Sequence, residues 1–82
     1  MKHFVVAYER PATTLLVFRE FAQGDWDSAN RLRNELELQY RLRPEVEIVL
    51  LWSDTIETLM ATHSRYFGRV TDPEAPASLR VA

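Results

Sequence analysis

The stretch Val46-Glu47-Ile48-Val49-Leu50-Leu51-Trp52 runs directly into Ser53-Asp54-Thr55-Ile56-Glu57, and this junction decides how the chain folds. A short apolar run with β-branched residues, bounded by turn-forming residues, is typical of a buried strand. The polar residues after it predict a helix start, at which Asp54 caps and Glu57 reaches back to a free backbone donor. We therefore expect a strand over 46–52, followed by a helix that ends near Gly68.

Two further strands are predicted before this junction. Residues 3–9 alternate between two sets of side chains and are rich in β-formers, and residues 13–22 resume the pattern. Pro11 separates the two runs, because proline lacks the backbone donor that a sheet ladder needs. A connection this short joins antiparallel neighbours, so we expect the two strands to form a hairpin.

A helix is predicted from about Trp26 to Leu42, because the residue before Pro44 is pushed out of helical geometry. Its apolar stripe recurs at spacings of three and four, at Ala29, Leu32, Leu36 and Tyr40. A crossover through this helix returns the third strand parallel to the second. If the third strand lies beside the first, the strand order is 2-1-3 and each neighbouring pair is antiparallel.

The predicted fold class is α+β, a two-layer sandwich of order β-β-α-β-α with a three-stranded, mainly antiparallel sheet and both helices on one face. The 82 residues, 46% hydrophobic and 27% charged, fit a single small globular domain. From residue 71 the chain becomes rich in proline and small residues. We therefore expect one domain over 1–70 and a flexible C-terminal tail over 71–82.

The composition argues against several classes of function. Ten Lys and Arg against twelve Asp and Glu give a net charge of −2, which is unfavourable for binding a phosphate backbone. No apolar run approaches the roughly 20 residues that cross a bilayer, and the apolar run after Lys2 is too short for a signal peptide. Without cysteine, and with two histidines, no metal site or cofactor is predicted. The expected location is the cytoplasm, without a membrane partner.

The predicted sheet carries more apolar residues than one helical layer can cover. The helices are expected to cover Phe4, Val6, Tyr8, Val46, Ile48, Leu50 and Trp52. The pattern leaves open whether the second strand adds Leu16 and Phe18 to the outer face, or Leu15, Val17 and Phe21. We expect the centre of this face to consist of Val5, Ala7, Phe18, Val49 and Leu51. Monomers rarely expose an apolar patch of that size, and twofold dimers are the commonest oligomers. We expect this face to bind a second copy or a partner protein, as an interaction or regulatory module, unless the tail covers it.

A small enzyme or ligand-binding protein is the alternative, with a pocket near His63, Trp52 and Tyr66. A histidine on a helix can serve as an acid or a base. It is more often a structural residue with one polar partner. Ser64 adjoins His63 and cannot face it on a helix, so no nucleophile and base pair is implied. Enzymatic activity is therefore the less favoured interpretation, and no catalytic residue is assigned.

A weak single-stranded RNA binder is the third alternative. Aromatic residues on strands can form stacking platforms for bases, and this chain has Tyr8, Phe18, Phe21 and Trp52 in predicted strands. The acidic net charge and the absence of an Arg or Lys run count against it.

Overall fold

The computed structural model describes residues 1–79 and has the α+β class that the sequence predicts. The strands are β1 (Lys2–Glu9), β2 (Thr14–Phe21), β3 (Val46–Ser53) and β4 (Arg69–Val70). The helices are α1 (Trp26–Gln39) and α2 (Ile56–Thr62), with short 3₁₀ turns at Ser64–Phe67 and Ala77–Leu79.

The sheet has four strands in the order β3-β1-β2-β4. β1 is antiparallel to both β2 and β3, so the predicted order of the first three strands is confirmed. β4 pairs parallel with β2, so the sheet is mixed, and the prediction of three antiparallel strands is wrong. β4 could not be predicted, because a strand of two residues is too short to show an alternating pattern.

Both faces of the sheet are covered, because β1 sends alternate side chains to two separate cores. The α1 face comprises sheet residues packed with α1, namely Val5, Ala7, Leu16, Val17, Phe21, Val46, Ile48 and Leu50. The α2 face comprises sheet residues packed with α2, the first 3₁₀ turn and the C-terminal segment, namely Phe4, Val6, Tyr8, Leu15, Phe18, Val49, Leu51 and Val70. The expectation of both helices on one face is therefore wrong.

The direction of the crossovers explains the placement of the helices. β2, β3 and β4 run parallel to one another, and crossovers between parallel strands keep one hand. The first crossover passes from β2 to β3, and the second returns across the sheet from β3 to β4. Two crossovers of the same hand in opposite directions place their helices on opposite faces. Because β4 was not predicted, the second crossover was not expected either.

The C-terminal segment belongs to the core in the structure, whereas the sequence predicts a flexible tail from residue 71. Ala75 and Leu79 pack in the cluster on the α2 face, and Leu79 is only 1% exposed. The domain boundary at residue 70 is therefore corrected, and the compact unit extends through Leu79. The rest of the predicted tail, residues 80–82, lies outside the described residues.

Both helices are shorter than predicted. α1 ends at Gln39 with Tyr40 as its C-cap. α2 begins after Thr55, whose side chain accepts a hydrogen bond from the Thr58 backbone N–H, so Thr55 is the N-cap instead of Asp54. None of the helices in the part of the chain that the structure describes is long and apolar enough to cross a membrane.

Candidate functional site

The five residues predicted to form an outer sheet face do not share a face. Val5 and Ala7 lie on the α1 face, whereas Phe18, Val49 and Leu51 lie on the α2 face. Val5, Ala7 and Phe18 are also buried within the single chain. The predicted interface therefore does not exist as one surface.

The error came from the register between β1 and β3. The sequence analysis placed Phe4 on the same face as Leu50, whereas in the structure Phe4 lies opposite Leu51 and Val5 lies opposite Leu50. Residues directly opposite each other on neighbouring strands share a face, so an offset of one residue exchanges the two sets. Each face then receives apolar residues from all three long strands, and each is covered.

The three residues of the predicted pocket are not brought together. His63 and Tyr66 stack with ring centroids 6.5 Å apart, in a shallow depression of about 440 Å³ lined by residues 62–66. Trp52 is on the α1 face, where its ring contacts His3 and Trp26. The depression is therefore built from one short stretch of chain at the end of α2, and Trp52 has no part in it.

The polar groups in this depression serve the local structure. His63 Nδ1 lies 2.9 Å from Thr62 Oγ1, which itself donates to the Thr58 carbonyl oxygen at 2.9 Å. The Thr62 hydroxyl therefore has a structural role at the end of α2. The Arg65 guanidinium donates to Glu47 at 2.8 Å and to the Tyr66 hydroxyl at 3.0 Å. These contacts account for the polar groups of the depression within the local structure.

The structure does not assemble a metal site or an RNA-binding platform within residues 1–79. Within residues 1–79, no group of three or more His, Asp and Glu side chains is placed to hold a metal ion. The strand aromatics are separated, since Tyr8 and Phe18 are buried on the α2 face while Phe21 is half-buried on the α1 face. They do not form a single platform on which bases could stack.

The strongest feature is the open edge of the sheet, which is the outer edge of β3. β3 is eight residues long and lies at one end of the strand order. Among residues 1–79, its strand partner is β1 alone. A row of unpaired backbone groups along such an edge is a template for pairing with another strand.

The register identifies the residues whose backbone groups point outward. The Arg10 N–H donates to the Glu45 carbonyl oxygen at 3.0 Å, which extends the β1–β3 ladder by one pair. Residues of a strand bond alternately to one side and to the other. The N–H and C=O groups of Ile48, Leu50 and Trp52 therefore point away from β1, toward the open edge.

The side chains of β3 are incompletely covered on both faces. β1 is buried from Phe4 to Tyr8, whereas β3 is only half-buried from Val46 to Leu51 and exposed at Trp52. Natural edge strands are often protected by lysine, proline, a bulge or short length. β3 contains no lysine or proline, and its register with β1 is continuous. Its one charged residue, Glu47, is paired with Arg65 at 2.8 Å.

The opposite edge of the sheet is closed. β4 pairs with the start of β2, and the Thr71 N–H then donates to the Leu15 carbonyl oxygen at 3.1 Å. Beyond this point the Asp72 carboxylate takes the place of a strand and accepts the Phe18 backbone N–H at 2.9 Å. The two edges of the sheet thus differ, one being closed by the C-terminal segment and the other being open.

An exposed aromatic cluster lies at the C-terminal end of the open edge. The Trp26 and Trp52 rings stack with centroids 6.2 Å apart and an interplanar angle of 3°. The His3 ring contacts both of them edge-on. Trp26 is 42% exposed and Trp52 is 52% exposed. The sequence does not predict this cluster, because the residues around Trp26 indicate only the start of a helix.

No family model matches this chain, and neither a curated protein nor a solved structure matches it. The open edge and the surfaces beside it are therefore the features that bear on function.

Proposed function

We propose that this protein is a small homodimeric interaction module, in which β3 pairs antiparallel with β3 of a second copy. The observation that carries the proposal is the open edge, an eight-residue apolar strand with outward backbone groups and half-buried side chains. Pairing of strand edges is a recurring mode of protein association. Closed twofold dimers are also the commonest oligomers.

We place the twofold axis perpendicular to the sheet at Val49, because this register agrees with the alternation along β3 and Val49 is the centre of the run from Val46 to Trp52. Across such an axis, Val49 lies opposite its own copy, and Ile48 lies opposite Leu50 of the second copy. Ile48 and Leu50 are residues whose backbone groups point outward, so each pair exchanges two hydrogen bonds. The two sheets then form one continuous sheet of eight strands, with both α1 helices on the same face.

The dimer also covers the apolar side chains that the monomer leaves half-exposed. Val46, Ile48 and Leu50 flank the edge on the α1 face, and Val49 and Leu51 flank it on the α2 face. Burial of apolar area contributes about 25 cal/mol per Å² removed from water. The new backbone hydrogen bonds mainly replace bonds to water, so they add less to affinity than to the choice of register.

Proline at Leu50 tests the pairing. The Leu50 N–H points outward, so Leu50→Pro removes a donor to the second copy without breaking the β1–β3 ladder. We expect wild type to be a dimer and Leu50→Pro a folded monomer, by light scattering on a size-exclusion column with circular dichroism to check folding. Leu50→Ala is the matched control, because it shortens the same side chain and keeps the N–H. It should remain largely dimeric.

A second variant tests the β3 interface even if Leu50→Pro fails to fold. Val49→Asp places two carboxylates beside each other at the proposed axis, and a buried like-charge pair is strongly unfavourable. It should be monomeric at concentrations at which wild type is dimeric. A monomeric wild type, or a Val49→Asp variant that stays dimeric, would overturn the proposed β3 interface.

A further inference from the structure

The side of α1 that faces the open edge can be identified from a ring contact. Trp26 stacks on Trp52, the last apolar residue of the open edge strand. Residues at spacings of three and four share one side of a helix, so Asn30, Arg33 and Glu37 follow Trp26 along this side. Asn30 and Arg33 are joined by a 2.7 Å hydrogen bond, in agreement with this placement. This side of the helix is polar, with an aromatic residue at its N-terminal end.

α1 runs antiparallel to β3, and the midpoint of the helix lies beside the midpoint of the strand. Trp26 lies at the end of β3 that holds Trp52, and Tyr40 packs in the same cluster as Val46 at the other end. Three residues of strand from Trp52 to Val49 span about 10 Å, or about seven residues of helix. The twofold axis proposed at Val49 therefore passes close to the middle of α1.

The two ends of α1 carry opposite charges. Asp25 and Asp27 lie at the N-terminal end, and Arg41 and Arg43 follow the C-terminal end. Arg43 is engaged by Glu9 at 2.8 Å. Arg41 is exposed, and no ion pair joins it to any of residues 1–79. Asp25 is the N-cap residue but makes no side-chain capping bond. Within residues 1–79, the side chains of Asp25 and Arg41 therefore make no hydrogen bond or ion pair.

We infer that α1 packs antiparallel against α1 of the second copy, so that the Asp25 and Trp26 end of each helix meets the Arg41 end of the other. The inference rests on the proposed function, because the β3 axis sets how the helices meet. α1 lies over β1 and β3, so strand spacings of about 4.8 Å place the two helix axes about 10 Å apart, within packing distance.

The two ends of this surface are self-complementary, which favours a second copy over an unrelated partner. At the axis itself the two Arg33 side chains, each bonded to Asn30, lie near each other. An antiparallel helix pair brings each acidic, positive-dipole N-terminal end beside a basic C-terminal end, and it does so twice in a twofold dimer. The exposed Trp26 and Trp52 rings become covered at the same two places. Tyr40 of the second copy lies level with Trp26 in this pairing.

Charge exchange tests the pairing of Asp25 with Arg41. Asp25→Arg and Arg41→Asp each remove two attractions per dimer and introduce two repulsions. We expect each variant to weaken dimerisation about 3- to 10-fold, measured as Kd by sedimentation over a dilution series. The double variant restores opposite charges across the axis and should return Kd to within about twofold of wild type. Arg31→Asp, an equal charge change about 140° around α1 from Trp26, is the control and should leave Kd unchanged.

The outcomes separate this inference from the proposed function. If Leu50→Pro is monomeric while both single charge variants keep the wild-type Kd, the β3 pairing stands and the helix pairing is overturned. If the single variants weaken the dimer and the double variant weakens it further, the pairing of Asp25 with Arg41 is also overturned. A monomeric wild type overturns both proposals. Recovery of the wild-type Kd in the double variant supports the antiparallel helix pair.

Discussion

At the scale of single residues, Asp72 is the side chain on which the closed edge depends. Its carboxylate accepts hydrogen bonds from the backbone N–H groups of Phe18 and Glu74, at 2.9 and 3.0 Å. The Arg19 guanidinium lies 2.5 Å away and also binds Glu74. Burial acts to raise the pKa of Asp72, but these hydrogen bonds and the Arg19 charge outweigh it and lower the pKa below its usual 3.8.

The lowered pKa predicts how stability changes with pH. The unfolded chain takes up the Asp72 proton at a higher pH than the folded chain does, so stability falls as the pH drops through this range. The contribution is complete above the usual carboxyl pKa, and it is lost as the pH falls through the lowered pKa of the folded state. Asp72→Asn should therefore lower the free energy of unfolding by about 1.5–3 kcal/mol at neutral pH. The difference from wild type should shrink in acid.

Urea denaturation at a series of pH values, at one protein concentration, measures this difference. Glu35→Gln serves as the control, because Glu35 is an exposed carboxylate on α1. That change should alter stability by less than about 0.5 kcal/mol at every pH. An Asp72→Asn variant as stable as wild type at neutral pH would mean that the carboxylate does not hold the C-terminal segment on β2.

At the scale of elements, the start of α2 shows what local patterns can predict. The sequence placed a helix start within one residue of the observed one, because Ser, Asp and Thr are all favoured N-caps. The choice among them depends on where β3 ends. The Ser53 hydroxyl donates to the Thr55 carbonyl oxygen at 2.9 Å, and this bond holds the turn that leaves Thr55 as the cap. That bond forms only in the folded turn, so residue propensities do not predict it.

Alanine substitution distinguishes the two capping residues. Thr55→Ala removes the acceptor for the Thr58 N–H and should destabilise the protein by about 1 kcal/mol. Asp54→Ala removes an exposed side chain whose ion pair, with the N-terminal amine, is 4.0 Å long, and should cost less than about 0.5 kcal/mol. Thermal denaturation followed by circular dichroism compares them. A larger loss for Asp54→Ala would restore the capping box that the sequence predicts.

At the scale of the whole molecule, long-range packing decides whether residues 71–79 belong to the domain. Leu79 is almost completely buried on the α2 face, so Leu79→Ala should cost about 2–5 kcal/mol. Leu42→Ala is the control, because it is the same substitution at a side chain that is 84% exposed. It should leave the free energy of unfolding nearly unchanged. Chemical denaturation measures both. Equal stabilities would support the flexible tail that the sequence predicts.

The contrast between local patterns and long-range contacts also explains which parts of the fold could be predicted from the sequence. The hairpin, α1, β3 and the order of the first three strands follow from local periodicity and short connections, and the structure confirms them. The register of β1 against β3 has no local signal, since both strands carry apolar residues at successive positions. β4 and the docking of Leu79 depend on contacts made only after the sheet has formed.

For the candidate site, too, the composition could be predicted from the sequence but the location could not. The apolar excess that suggested an interface is visible in the sequence, but its location depends on register and on what covers each face. Val49 and Leu51 lie beside the open edge, whereas Val5 and Phe18 are in the interior. Trp26 joins the site only because α1 runs opposite to β3, which brings its first residue to the end of that strand.

The difference between the two sheet edges also sets how far assembly can proceed. On the proposed pairing, each chain has a single edge that can accept a strand, so growth terminates at two chains and the product has a fixed size. Release of the Asp72 contact would leave β4 paired with β2 but would free the Phe18 backbone N–H beyond it. Chains with two binding ends can polymerise without limit. On the proposed pairing, the contacts of the C-terminal segment with β2 are therefore what keep the assembly finite.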